Sequence, residues 1–368
     1  MVSVLVVGAG IIGTALADRL AGEGVPVTLV DSGDVAAGTT RTSTAWLNSN
    51  HKRPRSYHDF NVAGMAAWQE LAGGFGTPGW YAPTGHLAWG GAEIARRVEE
   101  LRAWDYPAEL ISADEAAARE PELRVPAGAT VAVFPGEAHV LPDTAARALA
   151  TRAAGNGAVL HIGQEVTTVD GDGVALAGGD RLAADVVVCA AGWRVNELLA
   201  RSGLAPLALT PADGPDSPAP CLVARTAPSP VTVRHFIRTP GVDLRPDSTG
   251  GLALQGADLS ERATLDMPPE ARQRAGAELL RRARAVLPRL DAELAEAAVC
   301  VRPLPADGHP IVGWHPDLPS LYVISTHSGI TLAPLLARLA TAEIRTRGTA
   351  APELSPYRPE RFARASTS

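Results

Sequence analysis

Val4-Leu5-Val6-Val7-Gly8-Ala9-Gly10-Ile11-Ile12-Gly13 opens a segment that runs to Asp31 as VLVVGAGIIGTALADRLAGEGVPVTLVD (residues 4–31). The apolar run Val4 to Val7 stops at a glycine. Apolar residues then recur at helical spacing from Ile11 to Leu20, Gly22 and Gly24 interrupt them, and Val25 to Val30 is a second apolar run. Strand, glycine turn, helix and strand in so short a compass predict a βαβ unit, because parallel strands need a crossover between them. Glycines at 8, 10 and 13 give GxGxxG at the strand-to-helix turn. Backbone at Gly8, Gly10, Ile11, Ile12 and Gly13 can then approach a pyrophosphate, the helix N-terminus offers N–H groups, and Asp31 with Ser32 meets ribose hydroxyls. Asp31 repels a 2′-phosphate, which disfavours NADP. The motif leaves NAD and FAD open.

Working outward, the chain has 368 residues, 46% hydrophobic and 20% charged, which predicts a two-domain soluble globular protein. A net charge of −7 argues against a nucleic-acid or anionic-membrane partner, since both need a basic footprint. The chain passes from Met1 straight into a strand pattern with no leader-like segment, so a cytoplasmic location is expected. Cys189, Cys221 and Cys300 show neither disulfide-framework nor zinc spacing; reduced thiols and no metal are expected.

Helices are predicted over Ala63–Leu71, Ile94–Trp104, from Ser112 onward, over Asp143–Ala154 and Pro269–Leu287, and after Thr331. Strands are predicted over Ala158–Ile162, Glu165–Val169, Ala184–Ala191, Val231–Ile237, Gly251–Gln255, Ala298–Arg302 and Leu321–Ser325, with a hairpin at Gly171-Asp172-Gly173. The proline-rich stretch 204–230 reads as a crossing into a second, mostly β domain. No internal repeat is found.

Two later segments favour FAD over NAD. Gly38-Thr39-Thr40-Arg41-Thr42-Ser43-Thr44 is a hydroxyl-rich loop suited to a second phosphate and a ring edge. Val323-Ile324-Ser325-Thr326-His327-Ser328-Gly329-Ile330-Thr331 combines strand, polar turn and helix start, where N–H groups can stabilise negative charge on a reduced flavin. With these in place, the sequence resembles the glycine oxidase, D-amino-acid oxidase and sarcosine oxidase group of FAD-dependent amine oxidoreductases. The resemblance spans nearly the whole chain. It rests on residues 4–31, on VLPDTAARALATRAAGNGAVLH (140–161), EVTTVD (165–170) and DVVVCAAGW (185–193), and on VRPLPADGHPIVGW (301–314) and THSGITLAPLLARL (326–339).

The resemblance implies an α/β protein with a discontinuous Rossmann-like FAD-binding domain (1–80, 140–205 and 296–368) and a second α+β domain with a large, mostly antiparallel sheet (81–139 and 206–295). It implies oxidation of the C–N bond of a small amine or amino acid, D- or glycine-like, by hydride transfer to flavin N5, yielding an imine. Electrons then pass to O2 or another acceptor. Orientation and proximity outweigh a strong base in such chemistry.

Among cofactor contacts, Gly38, Thr39, Thr40, Thr42 and Ser43, the adenine-side Val166, Ala191-Gly192-Trp193, and Ser328-Gly329-Ile330-Thr331 join the N-terminal motif. Arg302 matches the arginine that clamps a substrate carboxylate and also neighbours the flavin. His327, where relatives have Gly-His ahead of a longer turn, and Asn48 complete the catalytic candidates; Trp46, Asn48 and Arg245 join Arg302 as substrate candidates, and His235 reads as structural. Cys300 falls where sarcosine oxidase carries its flavin covalently. Lys52, the only lysine, or an arginine is the candidate cation near N5. Two other readings stay open: a tailoring flavin oxidase of secondary metabolism acting on a larger amine or hydroxyl, and an NAD-binding dehydrogenase or cofactor-sensing protein.

Overall fold

Continuous apolar runs such as Val4–Val7, buried on both faces, are what a parallel sheet covered by helices requires. In the computed structural model, which describes residues 2–90, 93–214 and 216–366, that run is an inner strand of a six-stranded sheet. The order is Ile311–His315, Leu318–Ser325, Val186–Cys189, Val4–Val7, Val27–Asp31, Val159–Ile162. All neighbours are parallel except the 311/325 hairpin. Helices Pro142–Gly155 and Gly329–Thr346 both pack on helix Ile11–Gly22 beside it. On the other face lie the helix Val195–Arg201 and a small antiparallel sheet, Val166–Asp170, Gly173–Leu176 and Arg181–Ala183.

An eight-stranded sheet forms a second layer system, ordered Leu294–Val301, Pro220–Thr226, Leu252–Gln255, Asp243–Pro246, Phe236–Arg238, His86–Trp89, Val131–Phe134, Glu109–Ile111. Only the pairing of Phe236–Arg238 with His86–Trp89 is parallel. The apolar stripe of helix Pro269–Val286 supplies its separate core. A three-stranded ribbon, Trp46–Leu47, Ala138–Val140 and Tyr81–Ala82, links the two systems. This is the expected α/β class with its large, mostly antiparallel second sheet. Among the described residues no helix is long and apolar enough to cross a membrane.

Three expectations need correction. The strand expected over Ala298–Arg302 instead spans Leu294–Val301, because it pairs along its length with Pro220–Thr226. The latter strand itself arises inside the proline-rich crossing; Pro220 sits at its first position, where no ladder N–H is missed. The strand expected over Val231–Ile237 shrinks to Phe236–Arg238, because the Arg234 and His235 amides donate to the buried Glu120 carboxylate at 2.8 and 2.7 Å instead of to a ladder. His235 is held there by the same carboxylate, a structural role.

Candidate active site

The glycine turn is built for close backbone approach. Gly8 has φ +108°, and a Cβ there would lie 2.5 Å from the Ala190 carbonyl oxygen; a Cβ on Gly13 would lie 1.8 Å from the Gly8 carbonyl oxygen. Asp31 accepts from the amides of Ala9 at 2.6 Å and Gly33 at 2.8 Å, tying two turns at one rim, while the Ile11 amide donates to Thr40 Oγ1 at 2.9 Å. Gly8, Gly10, Ile11, Ile12, Asp31, Ser32, Val166, Ala191, Gly192 and Trp193 all line a cavity of about 1120 Å³. Gly13 does not; it seats the helix against the strand.

The same cavity continues past Gly38, Thr39, Thr40, Thr42 and Ser43. This loop is stapled from behind by two buried arginines: Arg225 donates to the Arg41 carbonyl, and Arg245 to the carbonyls of Thr44 and Ser43. Arg245, expected at the substrate, is fully buried and absent from the cavity wall. Burial pushes its pKa down to about 10, against the neighbouring Asp247 carboxylate. Its work is to hold the loop.

At the far end, Ser328, Gly329, Ile330 and Thr331 present the N-terminus of helix Gly329–Thr346 to the cavity. Lys52 Nζ donates to Ser328 Oγ at 3.0 Å, and the Tyr57 hydroxyl meets the same oxygen at 2.8 Å. Burial lowers the Lys52 pKa to about 8, partly opposed by Glu137. His327 opens into the cavity, where desolvation by the surrounding protein and the charges of Lys52 and Arg302 hold its pKa near about 3. Arg302 also lines the cavity, half-buried, donating through Nε to the Ala219 carbonyl at 3.3 Å and through a second nitrogen to that of Pro218.

Trp46 and Asn48 form the opposite wall. Trp46 stacks on Phe236 at 4.8 Å between ring centroids, and the Arg238 guanidinium lies 5.6 Å over its ring. His51 is open to the cavity, yet desolvation by the protein around it and the charges of Arg238 and Arg97 hold it neutral with a pKa of about 2. Beneath this wall is a buried carboxylate that sequence reading missed: Glu137 accepts from Trp46 Nε1 at 2.8 Å, Asn50 Nδ2 at 2.8 Å and the Tyr106 hydroxyl at 2.7 Å, and pairs with His86 Nδ1 at 3.1 Å. Its only signal is a single acidic residue in the mostly apolar VAVFPGEAHV (131–140). Phe236 and Arg238 line the same cavity, and no motif marks either as a site residue.

Cys300 lies in the cavity wall, buried, directly across the strand pair from Cys221. Cys189 is in the core of the first sheet.

A cavity that joins a glycine turn at one helix N-terminus to a second helix N-terminus fits an extended dinucleotide ending in a flavin, and the comparisons with known proteins agree. Residues 3–343 match the family described as FAD-dependent oxidoreductase (DAO). The chain belongs to this family. The DAO fold is shared over nearly full length with glycine oxidase from Geobacillus kaustophilus, at 25% identity and a TM-score of 0.81, covering 97% of this chain and 98% of that one. L-proline dehydrogenase from P. horikoshii aligns at 20% identity and a TM-score of 0.81 over 99% and 98%, and iminodiacetate oxidase from Chelativorans sp. BNC1 at 22% and 0.77 over 97% and 98%. No curated protein matches the sequence. Membership makes the chain an FAD-dependent oxidoreductase and sets aside the NAD-binding reading.

Proposed function

We propose that this DAO-family enzyme oxidises the C–N bond of a small amino or imino acid. The observation that carries the reading is the charge pattern of the reactive end: Arg302, Lys52 and Arg238 surround a space whose imidazoles, His51 and His327, are held neutral. Such a space attracts a carboxylate and disfavours an ammonium, so the substrate amine binds deprotonated. Bound FAD supplies the two-electron acceptor. The chain's own residues do the rest: Arg302 grips the carboxylate, Trp46 and Phe236 give an apolar face, and Asn48 orients the amine. The imine product is then hydrolysed by water.

Asp31 and the glycine turn are assigned to the adenosine and pyrophosphate half, with Val166 on the adenine side, and Ser328 to Thr331 to the flavin pyrimidine edge. FAD is read as noncovalent, since the neighbouring Cys221 sulfur and burial keep Cys300 a protonated thiol. Colour left on acid-precipitated protein would overturn that point. The domain division is proposed as 1–80, 140–205 and 302–368 against 81–139 and 206–301.

The test is anaerobic bleaching of the FAD spectrum across a panel of small amino and imino acids, followed by Arg302→Ala with the best substrate. KM is expected to rise at least about tenfold for carboxylate substrates, roughly 1.4 kcal/mol of lost binding. An unchanged KM removes Arg302 from the substrate site. Peroxide release in air then distinguishes O2 from another acceptor.

A further inference from the structure

Two of the three cysteines meet in the wall of the FAD cavity although 79 residue numbers separate Cys221 from Cys300. Strands Pro220–Thr226 and Leu294–Val301 are antiparallel with Cys221 directly opposite Cys300, flanked by the pairs Pro220↔Val301 and Leu222↔Val299 that fix the register. Residues opposed in this way point to the same face, with Cα atoms about 4.5–5.5 Å apart. That lies within the roughly 4.4–6.8 Å that a disulfide spans. Both thiols are 3% exposed and, with Val223, form a cluster apart from the main cores. Neither has a role in the proposed oxidation.

We propose that Cys221 and Cys300 are a redox-modification site, a dithiol that a peroxide entering the FAD cavity converts reversibly into a cross-strand disulfide. Cys221 is the attacking sulfur: the Cys300 thiol is turned to the Thr39 carbonyl, which keeps its proton on Cys300, and the Arg302 charge favours a Cys221 thiolate. Cys221 sulfur attacks one peroxide oxygen, the O–O bond breaks and one water leaves, giving a sulfenic acid. Cys300 sulfur then attacks Cys221 sulfur, its proton leaves with the departing hydroxyl, and a second water is released. In sum two thiols and one hydrogen peroxide give one disulfide and two waters, with two electrons passing from sulfur to oxygen. Closure draws the Cys300 sulfur from the Thr39 carbonyl, 4.0 Å away, and so bears on the loop that lines the FAD site. This inference needs the FAD cavity but is independent of which substrate is oxidised.

The test uses the FAD-loaded full chain, reduced, desalted and titrated with hydrogen peroxide, with thiols counted by maleimide labelling after denaturation. One equivalent is expected to remove two of the three thiols, with a mass loss of two hydrogens, a Cys221–Cys300 linked peptide on digestion, and full recovery in dithiothreitol. Cys189, buried in the first sheet, serves as the unreacted reference. In Cys300→Ala, Cys221 is expected to stop at a sulfenic acid that dimedone traps, and in Cys221→Ala no disulfide forms. Retention of all three thiols, oxidation of either cysteine beyond a sulfenic acid without a cross-link, or a link through Cys189 would each overturn the proposal.

Discussion

The two ends of the FAD cavity are made in opposite ways. The glycine-turn end, proposed for the adenosine half, is mostly backbone: Gly8 and Gly13 admit no Cβ, and one contiguous stretch, 4–40, supplies its glycine turn, its acid and its hydroxyl cap at Thr40. The reactive end is mostly side chain. It gathers Trp46 to Lys52, Phe236 and Arg238, Arg302 and Ser328, from strands and helices of both sheet systems. A backbone-built site tolerates no added atom and has one short-range signature, whereas a side-chain site is set by tertiary register and can vary while the frame stays.

The sharpest way to break this contrast is to add a side chain at the turn. In Gly13→Val the new Cβ must displace the Gly8 carbonyl or the helix, since 1.8 Å is far inside contact distance. FAD affinity is expected to fall by at least about 100-fold, near 2.8 kcal/mol, so that the protein purifies colourless. A yellow Gly13→Val protein of normal affinity would mean that the adenosine end is not backbone-built. At the other end, Glu137→Gln keeps the volume but removes the charge that organises the Trp46–Asn50 wall. Expected are retained FAD, a loss of about 2–3 kcal/mol in denaturant unfolding, and a kcat/KM lowered by about tenfold or more. Loss of FAD from this variant would show the two ends to be coupled.

What was legible in the sequence follows the same division. GxGxxG with Asp31, the helix after Thr331 and the strand at Val186–Cys189 are local patterns, and they appear where periodicity places them. Ser112 forms the expected helix cap, in a reciprocal box with Glu115. Arg245 shows where local reading fails: an arginine beside a strand looks like a site residue, yet the loop carbonyls it binds come from Ser43 and Thr44, about two hundred positions earlier. Glu137 was invisible for the complementary reason, since its partners Trp46, Asn50, His86 and Tyr106 are scattered through earlier segments. Nor does the cysteine spacing disclose the pairing of Cys221 with Cys300, which only strand register creates.

The smallest expected effect separates the charge at the reactive end from its shape. Lys52, with its pKa lowered to about 8, is a cation below that pH and neutral above it. Its attraction for an anionic ligand is therefore complete at lower pH and is lost as pH rises through about 8. With the His51 and His327 imidazoles lowered to about 2 and about 3 and the Asp243 carboxyl raised by burial to about 6, none of them changes charge between pH 7 and 9. A simple carboxylate inhibitor without an amine has no titration of its own in that window. Its inhibition constant is expected to rise about three- to tenfold from pH 7 to 9, and Lys52→Met is expected to abolish the pH step while leaving FAD bound. If the step persists in Lys52→Met, the titrating group lies elsewhere; if wild type shows no step, Arg302 and Arg238 carry the anion alone.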